Sequence, residues 1–131
     1  MRNVALAAVI GLLFAAGSLV AAPVARADCN PFEGCWGAIA ASPSNGETEL
    51  TTDDGNQQHA EKDAVLWCNV DSKTNDCQVV ISGMGCLSIA KNSDGTAYAG
   101  RVAPTQDAAD SAALDGAGPG GTILDHGCNG W

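Results

Sequence analysis

Two histidines are the residues of this sequence that could act as a general acid or base. His59 is followed by Glu61 and Asp63, and His126 directly follows Asp125. A carboxylate beside an imidazole can orient the ring for proton transfer, but the same neighbours are also ordinary solvated side chains. No Gly-x-Ser-x-Gly sequence supplies a nucleophile. The sequence therefore predicts no catalytic residue, and a small secreted hydrolase using His59 or His126 is the alternative.

Six cysteines are the other reactive residues. If this short chain leaves the reducing cytosol, their even number indicates three disulfides. Structural zinc sites need ligands two to four residues apart. Cys68, Cys77 and Cys86 are instead nine residues apart, so the sequence predicts no metal and no cofactor. The spacing alone leaves fifteen pairings open. The six are Cys29, Cys35, Cys68, Cys77, Cys86 and Cys128.

Three further stretches are candidate ligand sites. The acidic stretches TTDDGN at 51–56 and NVDSKTND at 69–76 contain oxygen ligands for calcium. They lack the spacing and the closing glutamate of a calcium loop, so turn and capping roles are predicted. The sequence GAGPGG at 116–121 is not followed by Lys-Ser or Lys-Thr, as a phosphate loop requires. It is predicted to be a flexible linker.

The three tryptophans are candidate binding residues. Trp36 and Trp67 fall on the apolar faces of their predicted elements, so both are predicted to lie in the core. Trp131 is the last residue, and a terminal aromatic next to a disulfide could serve as a recognition handle.

The first 27 residues have the pattern of a secretory signal peptide. Arg2 is followed by a long apolar run that ends in Ala25-Arg26-Ala27, a small-x-small cleavage sequence. An uncleaved membrane anchor is the alternative, because the run approaches the length of a membrane span. We expect cleavage after Ala27 and one exported domain at 28–131.

The mature chain would have 104 residues, enough for one small domain. It would hold four basic and 15 acidic residues, for a formal charge of −11. A surface that acidic repels phosphate backbones and anionic lipid headgroups, so nucleic acid is not expected as a partner. No membrane span is expected after cleavage of the signal.

The elements that would position these residues are predicted to occur twice, at about 34–84 and 85–131. Cys86 follows Cys35 by 51 positions, Cys128 follows Cys77 by 51, and Ala112 follows Ala64 by 48. Each copy starts with Gly-Cys and a short alternating strand, then turns at Asn-Gly or Asp-Gly. An alanine-rich helix and a third strand follow, of which CQVVIS is predicted to be buried. The prediction is an α+β, disulfide-stabilised domain of two similar ββαβ halves.

The predicted helices are recognisable by their amphipathic spacing and their caps. The first spans NQQHAEKDAVLWC and has Ala60, Ala64, Trp67 and Cys68 on its apolar face. Thr105 caps the second helix, and Gly116 is predicted to end it.

Several motifs follow one another in a characteristic order between Cys35 and Asn129. They are WGAIAASPSNG, AEKDAVLWC, DCQVVIS, GCLSIAKNSDG, DAADSAAL and a late GCN. This order resembles the domain of unknown function 4189 family, small exported proteins of mycobacteria and other actinobacteria. The resemblance supports export and the predicted fold, and it implies no reaction.

The chain departs from that family at two places. Family members commonly carry aromatic residues before the first helix, where this chain has the polar ETELTTDDGNQQ. Any function that relies on those aromatics is in doubt here. Family members also often have a cysteine after the second helix, near Gly116.

The missing cysteine and the repeat favour one set of disulfides. A bond between Cys68 and Cys77 would join the first helix to the following strand. Cys86 would then reach Cys128, and Cys29 would bond to Cys35. A bond between Cys86 and Cys35 is the alternative, and it would staple the two halves together.

The function predicted from the sequence is binding outside the cytoplasm, either in the cell envelope or on a host component. The protein would be secreted or held in the envelope, and its partner is an unknown protein or envelope component. The many structural signals and the lack of a convergent catalytic set support this prediction. A purely structural envelope protein is a third class, which predicts abundant association with the cell wall.

Overall fold

A computed structural model describes Cys29 and residues 34–130. The predicted signal peptide and Trp131 lie outside the described residues. The element order confirms the prediction of two strands, a helix and a strand, found twice. The elements are β1 (Trp36–Ala41), β2 (Thr48–Asp54), α1 (Gln57–Ser72), β3 (Gln78–Gly83), β4 (Cys86–Lys91), β5 (Tyr98–Ala103), α2 (Gln106–Ala117) and β6 (Thr122–Cys128).

Each half forms one antiparallel sheet with its first strand in the centre. The strand orders are β2-β1-β3 and β5-β4-β6. The two sheets face each other around a core that contains Ile39 of β1 with Leu87 and Ile89 of β4. The helix of each half packs on its own sheet, α1 on β1 and β2 and α2 on β4 and β5. The α+β class predicted from the sequence is therefore confirmed.

Alternation along the central strand decides which side chain meets which layer. Ala38 and Ala40 of β1 lie in a cluster with Ala60 and Ala64 of α1, whereas Ile39 points into the core between the sheets. Because the residues on the helix side are alanines, the helix lies close to the sheet. Within the described part of the chain, no helix is long and apolar enough to cross a membrane.

The predicted turns and the predicted cap at Thr105 are confirmed, and Asn56 caps α1. Gly46 has φ 78° and Gly95 has φ 70°, so a glycine provides the left-handed residue of each hairpin loop. The Asn56 side chain accepts a hydrogen bond from the His59 amide, and Thr105 caps α2 in the same way.

Two predictions about the end of α2 are wrong. The helix continues through Gly116 to Ala117, and Gly118, with φ 86°, is its C-cap. The stretch predicted as a flexible linker is therefore the last turn of a helix and a closed turn, in which the Gly121 amide donates to Gly118 O at 3.1 Å.

The burial predicted for β3 is also wrong. Gln78 and Val79 are exposed, and only Gly83 of this strand is buried. The strand lies at the edge of its sheet, and α1 packs mainly over the other two strands. A run of β-branched residues therefore indicates a strand here without indicating burial on both faces.

Structurally equivalent residues of the two halves are not separated by the numbers of positions that the sequence motifs indicated. Ala60 and Ala64 are the buried alanines of α1, and Ala109 and Ala113 are those of α2, 49 positions later. Aligning Ala64 with Ala112 is therefore wrong by one residue.

The cysteines 51 positions apart do not all correspond either. Cys77 immediately precedes β3, whereas Cys128 is the last residue of β6. Cys35 lies just before β1, so Trp36 takes the place in β1 that Cys86 takes in β4. Cys86 therefore lies in the sheet, in register with Cys128, while Cys35 lies where it can meet the N-terminal arm.

The structure contains three disulfides, and they join the pairs favoured from the sequence. Cys29 is bonded to Cys35, Cys68 to Cys77 and Cys86 to Cys128. Each bond lies within one half or ties down the N-terminal arm, so none staples the two halves together. The halves are instead held by the apolar core between the two sheets.

Candidate functional site

An open cleft lies between β2 and α1, at the edge of the first sheet. Its volume is about 490 Å³. Strand β2 provides one wall and helix α1 the other. The lining residues are Glu49, Thr51, Thr52, Asp54, His59, Lys62, Asp63 and Trp67. The lining is polar and acidic, with three carboxylates against one lysine, and Trp67 is its one large apolar side chain.

A row of three α1 side chains, flanked by Lys62, forms the helical wall of the cleft. His59, Asp63 and Trp67 are each four residues apart, so they lie one above another on the same flank of the helix. The buried row of the helix, Ala60, Ala64 and Cys68, is one position further along. The row that lines the cleft is therefore rotated by about 100° from the row that packs on the sheet.

Trp67 lies in this exposed row, and the prediction that it lies in the core is wrong. Its exposed fraction is 51%. Trp36 is partly buried and packs against the cluster beneath α1, as the sequence predicted. The spacing contained the signal that was missed, because Trp67 is in phase with the polar His59 and Asp63 rather than with the buried alanines.

The corresponding space in the second half holds the chain's own side chain. Arg101 occupies in β5 the register position that Thr51 occupies in β2, and Gly116 of α2 lies 49 positions after Trp67. A Cβ atom at Gly116 would be 2.6 Å from Arg101 Nη2. The groove beside the helix is therefore filled by a guanidinium group in one half and open in the other.

Glu49 is the carboxyl of the cleft whose proton affinity is altered. Its pKa is raised by partial burial, by a hydrogen bond with Asp71, and by the nearby charges of Asp71, Asp125 and Glu47. A cationic group in the cleft would relieve this repulsion.

His59 lies in the cleft without the partner that a general base requires. Glu61 accepts hydrogen bonds from Gln57 Nε2 at 2.8 Å and from Ser82 Oγ at 2.5 Å, so it points away from the imidazole. In the described part of the chain, no carboxylate oxygen lies within 4.0 Å of the His59 ring nitrogens. The arrangement predicted for a hydrolase at His59 is not formed.

His126 pairs with Asp110 of α2 rather than with Asp125. Its Nδ1 lies 2.9 Å from Asp110 Oδ2, and Gln106 Nε2 donates to Asp110 Oδ1 at 2.9 Å. Partial burial raises the pKa of Asp110, but the nearby polar groups of Ser88, His126 and Gln106 stabilise the carboxylate more strongly, so the pKa is lowered.

The Ser88 hydroxyl cannot serve as a nucleophile for this pair. Ser88 is fully buried beneath α2. Its Oγ makes no hydrogen bond of standard geometry among the described residues, although it is near enough to stabilise the Asp110 carboxylate. A Ser-His-Asp site would need the serine beside the imidazole and open to a substrate. Ser88 lies opposite His126 in the pairing of β4 with β6, but among the described residues no hydrogen bond joins Ser88 Oγ to the imidazole.

The two acidic stretches with potential calcium ligands have structural roles. In the first stretch, Asn56 caps α1. In the second, Asp76 accepts hydrogen bonds from Ser42 Oγ at 2.6 Å and from the Ser44 amide at 3.0 Å, which ties the loop before β3 to the first hairpin. These hydrogen bonds, with one from Thr74, hold the pKa of Asp76 far below its usual range.

One further group of potential metal ligands consists of Cys29, Cys35 and Asp53. The two sulfur atoms are bonded to each other, so neither is the thiolate that a metal ion would require. Asp53 accepts a hydrogen bond from the Gly130 amide at 2.5 Å, and the disulfide-bonded Cys29 Sγ lies 3.7 Å from Asp53 Oδ1. The carboxylate therefore fastens the two ends of the domain to the end of β2.

Comparison with known proteins places the chain in a family. The sequence model described as "Domain of unknown function (DUF4189)" matches residues 36–123, which cover both helices and all strands up to the start of β6. The chain belongs to the DUF4189 family. The resemblance seen in the motif order is thereby confirmed, and the family description assigns no activity.

One solved structure is similar to this DUF4189 chain over nearly its full length. It is the NMR structure of Rv1813c from Mycobacterium tuberculosis, with a TM-score of 0.58 and 23% sequence identity. The match covers 98% of this chain and 95% of the other. At this identity the similarity supports the fold alone. No curated protein matches the DUF4189 chain.

Proposed function

We propose that this protein is an exported, disulfide-stabilised binding protein whose ligand occupies the cleft between β2 and α1. The partner would be a component of the cell envelope or of a host cell. The observation that carries the proposal is Trp67, which is 51% exposed beside an open cleft in a small domain. A large aromatic side chain gains free energy on burial, so an exposed tryptophan at a concave surface favours binding.

The surroundings of Trp67 support the same conclusion. Leu66 and Val70 of α1 are 51% and 55% exposed, so apolar surface continues from Trp67 across the outer face of the helix. Contiguous exposed apolar surface with polar groups at its rim is typical of interaction sites.

A hydrolytic function has less support. His59 lacks an orienting carboxylate, and in the described part of the chain no hydrogen bond joins Ser88 Oγ to the His126 imidazole. Three disulfides leave none of the described cysteines as a free thiol. These observations favour binding over covalent catalysis.

The test is retention of the purified, oxidised protein on cell-envelope preparations and on host-cell membranes. We expect Trp67→Ala to reduce retention at least fivefold, because the aromatic contact is lost while the fold is kept. Leu114→Ala is the matched control, since Leu114 is an apolar side chain of α2, 37% exposed. Equal retention of the wild type and both variants would overturn the proposal.

A further inference from the structure

We propose that the ligand of the cleft is an extended segment of a partner protein that adds to β2 as an antiparallel fourth strand. The segment would carry lysine or arginine at alternate positions, facing α1. This inference rests on the proposed function and specifies its partner.

The edge of β2 offers hydrogen-bonding groups to such a segment. Among residues 34–130, strand β2 pairs with β1 alone. The Ser42 amide donates to Glu47 O at 2.9 Å, and hydrogen-bonded pairs recur every second residue along antiparallel strands. In this register, Glu49 and Thr51 exchange hydrogen bonds with Ala40 and Ala38.

The backbone groups of the residues in between point the other way. The N–H and C=O groups of Thr48, Leu50 and Thr52 are directed away from β1, towards the open edge of the sheet. An open strand edge is a template for pairing with another chain.

The end of this edge is already occupied, which limits where a peptide can pair. The Asp53 amide donates to Asn129 Oδ1 at 2.9 Å, and the Asp53 carboxylate accepts from the Gly130 amide and lies against Cys29 Sγ. Asp53 also has φ 64°, which turns the strand out of regular pairing. The usable edge is therefore Thr48–Thr52, the part of β2 that runs beside the cleft.

A strand added there would lie under the row His59, Asp63 and Trp67 of α1. Side chains that face α1 from the new strand would enter the cleft, next to Glu49 and Thr51, which face the same side of the sheet. Insertion of an extended peptide between an edge strand and a helix is an established mode of peptide recognition.

The charges of the cleft favour cationic side chains. Three carboxylates, those of Glu49, Asp54 and Asp63, line it against one cation, Lys62. The nearby charges of Asp71, Asp125 and Glu47 contribute to the raised pKa of Glu49. A lysine or arginine side chain can pair with these groups while its stem or guanidinium plane packs on Trp67.

The second half provides a precedent within the chain. Arg101 fills the equivalent groove and lies over Gly116 of α2. The groove beside the helix thus accommodates a guanidinium group, and in the first half that group would come from the partner.

The opposite face of the added strand would meet a different surface. Leu50 packs at the border of the core between the sheets, and Thr48 Oγ1 lies 3.5 Å from Asp125 Oδ2 of β6. Alternate residues of the segment would therefore be small or apolar. A saccharide stacked on Trp67 is the competing ligand, and it would leave the edge of β2 unpaired.

The experiment uses the oxidised protein and a capped heptapeptide of alternating lysine and valine, titrated by NMR of the backbone amides. We expect saturable shifts in the cleft and at least tenfold slower hydrogen exchange of the Thr48, Leu50 and Thr52 amides. In an antiparallel pair, residues joined by hydrogen bonds place their side chains on the same face, so the valines would bond to β2.

Two N-methylated peptides of the same composition test the strand geometry. N-methylation of the valines should weaken binding at least tenfold, whereas N-methylation of the lysines should change the Kd less than threefold. Equal binding by both would overturn strand addition, and loss with the lysine-methylated peptide alone would overturn the antiparallel direction.

Charge is tested by replacing one carboxylate. Asp63→Asn should raise the Kd for the peptide two- to fivefold, a factor typical of an exposed ion pair. Asp115→Asn, the same change on the exposed surface of α2, is the control and should change the Kd less than 1.5-fold. The corresponding peptide with glutamate in place of lysine should not bind, and binding of that peptide as tight as the lysine peptide would overturn the charge preference.

The outcomes separate this inference from the proposed function. If Trp67→Ala reduces retention on envelope or host preparations but the peptide does not bind, the cleft is a binding site and the peptide inference is wrong. Binding of neutral oligosaccharides to the cleft without protection of the Thr48–Thr52 amides would also overturn the peptide inference. Failure of both experiments would overturn the proposed function itself.

Discussion

At the scale of single residues, replacement of Trp67 should weaken binding while changing stability little. Because its side chain is half-exposed, Trp67→Ala should change the free energy of unfolding by only about 0.5 kcal/mol. Ile39→Ala, in the fully buried core between the sheets, should cost about 2–5 kcal/mol. Urea unfolding of the two variants checks this prediction. A loss for Trp67→Ala as large as that for Ile39→Ala would mean that Trp67 is a core residue after all.

Ionisation of Asp110 should make the free energy of unfolding depend on pH, with the folded state more stable at neutral pH than in acid. Its pKa is lower in the folded state than the ordinary value of about 4, so ionisation stabilises the fold. The contribution is complete at pH values above the unfolded pKa and is lost as the pH falls through the folded pKa. Asp110→Asn should therefore be less stable than the wild type at pH 7, and the difference should shrink in acid.

Ionisation of Glu49 is expected to have the opposite effect on stability from ionisation of Asp110. Its pKa is raised in the folded state, so the ionised form is penalised at neutral pH. Glu49→Gln should raise the free energy of unfolding at pH 7, and the gain should vanish once the carboxyl is protonated. Thermal unfolding from pH 3 to pH 8 measures both variants. Parallel curves for wild type and Asp110→Asn would contradict the argument.

At the scale of the elements, the close approach of helix to sheet depends on alanine. Ala64 of α1 is fully buried against the alanines of β1. Ala64→Leu should destabilise the fold by about 1–3 kcal/mol, because added methylene groups have no space in a packed interface. Leu66→Ala, on the exposed face of the same helix, is the control and should change stability by about 0.5 kcal/mol or less. Urea unfolding compares the two.

The position of a residue within an element also explains the difference between the halves. Trp36 starts β1 where Cys86 starts β4. Because Cys35 lies one position before the residue that corresponds to Cys86, it lies outside the strand and bonds to Cys29. The same Gly-Cys motif therefore closes a cross-strand bond in one half and anchors a terminus in the other.

For the molecule as a whole, the disulfides should differ in their contributions according to the length of chain they close. Cys86 and Cys128 are 42 positions apart, whereas Cys29 and Cys35 are six apart. In the loop-entropy model, removing the first bond costs about 4 kcal/mol and removing the second about 2 kcal/mol. Double replacement by serine, followed by urea unfolding without reductant, measures each loss. Equal losses would show that loop length does not set the ranking.

Local signals in the sequence were sufficient to specify the elements of the fold. Strand alternation, the Asn-Gly and Asp-Gly turns and the Thr105 cap depend on neighbours within a few residues, and all lie where the sequence predicts them. The number of disulfides followed from an even cysteine count in a small chain that was predicted to be exported. The pairing favoured for Cys86 also agrees with the structure, although the alignment of Cys77 with Cys128 that describes the repeat does not.

Contacts between distant parts of the chain set which surfaces are covered and which stay open. The sheet that covers Ile39 is formed by residues about 50 positions later in the chain, and no local pattern specifies that the two sheets meet face to face. The exposure of β3 and the open groove at Trp67 have the same origin, because burial depends on how far each helix extends across its sheet. In one half Arg101 fills that groove, and in the other Trp67, Glu49 and Asp63 surround a cleft that opens to solvent.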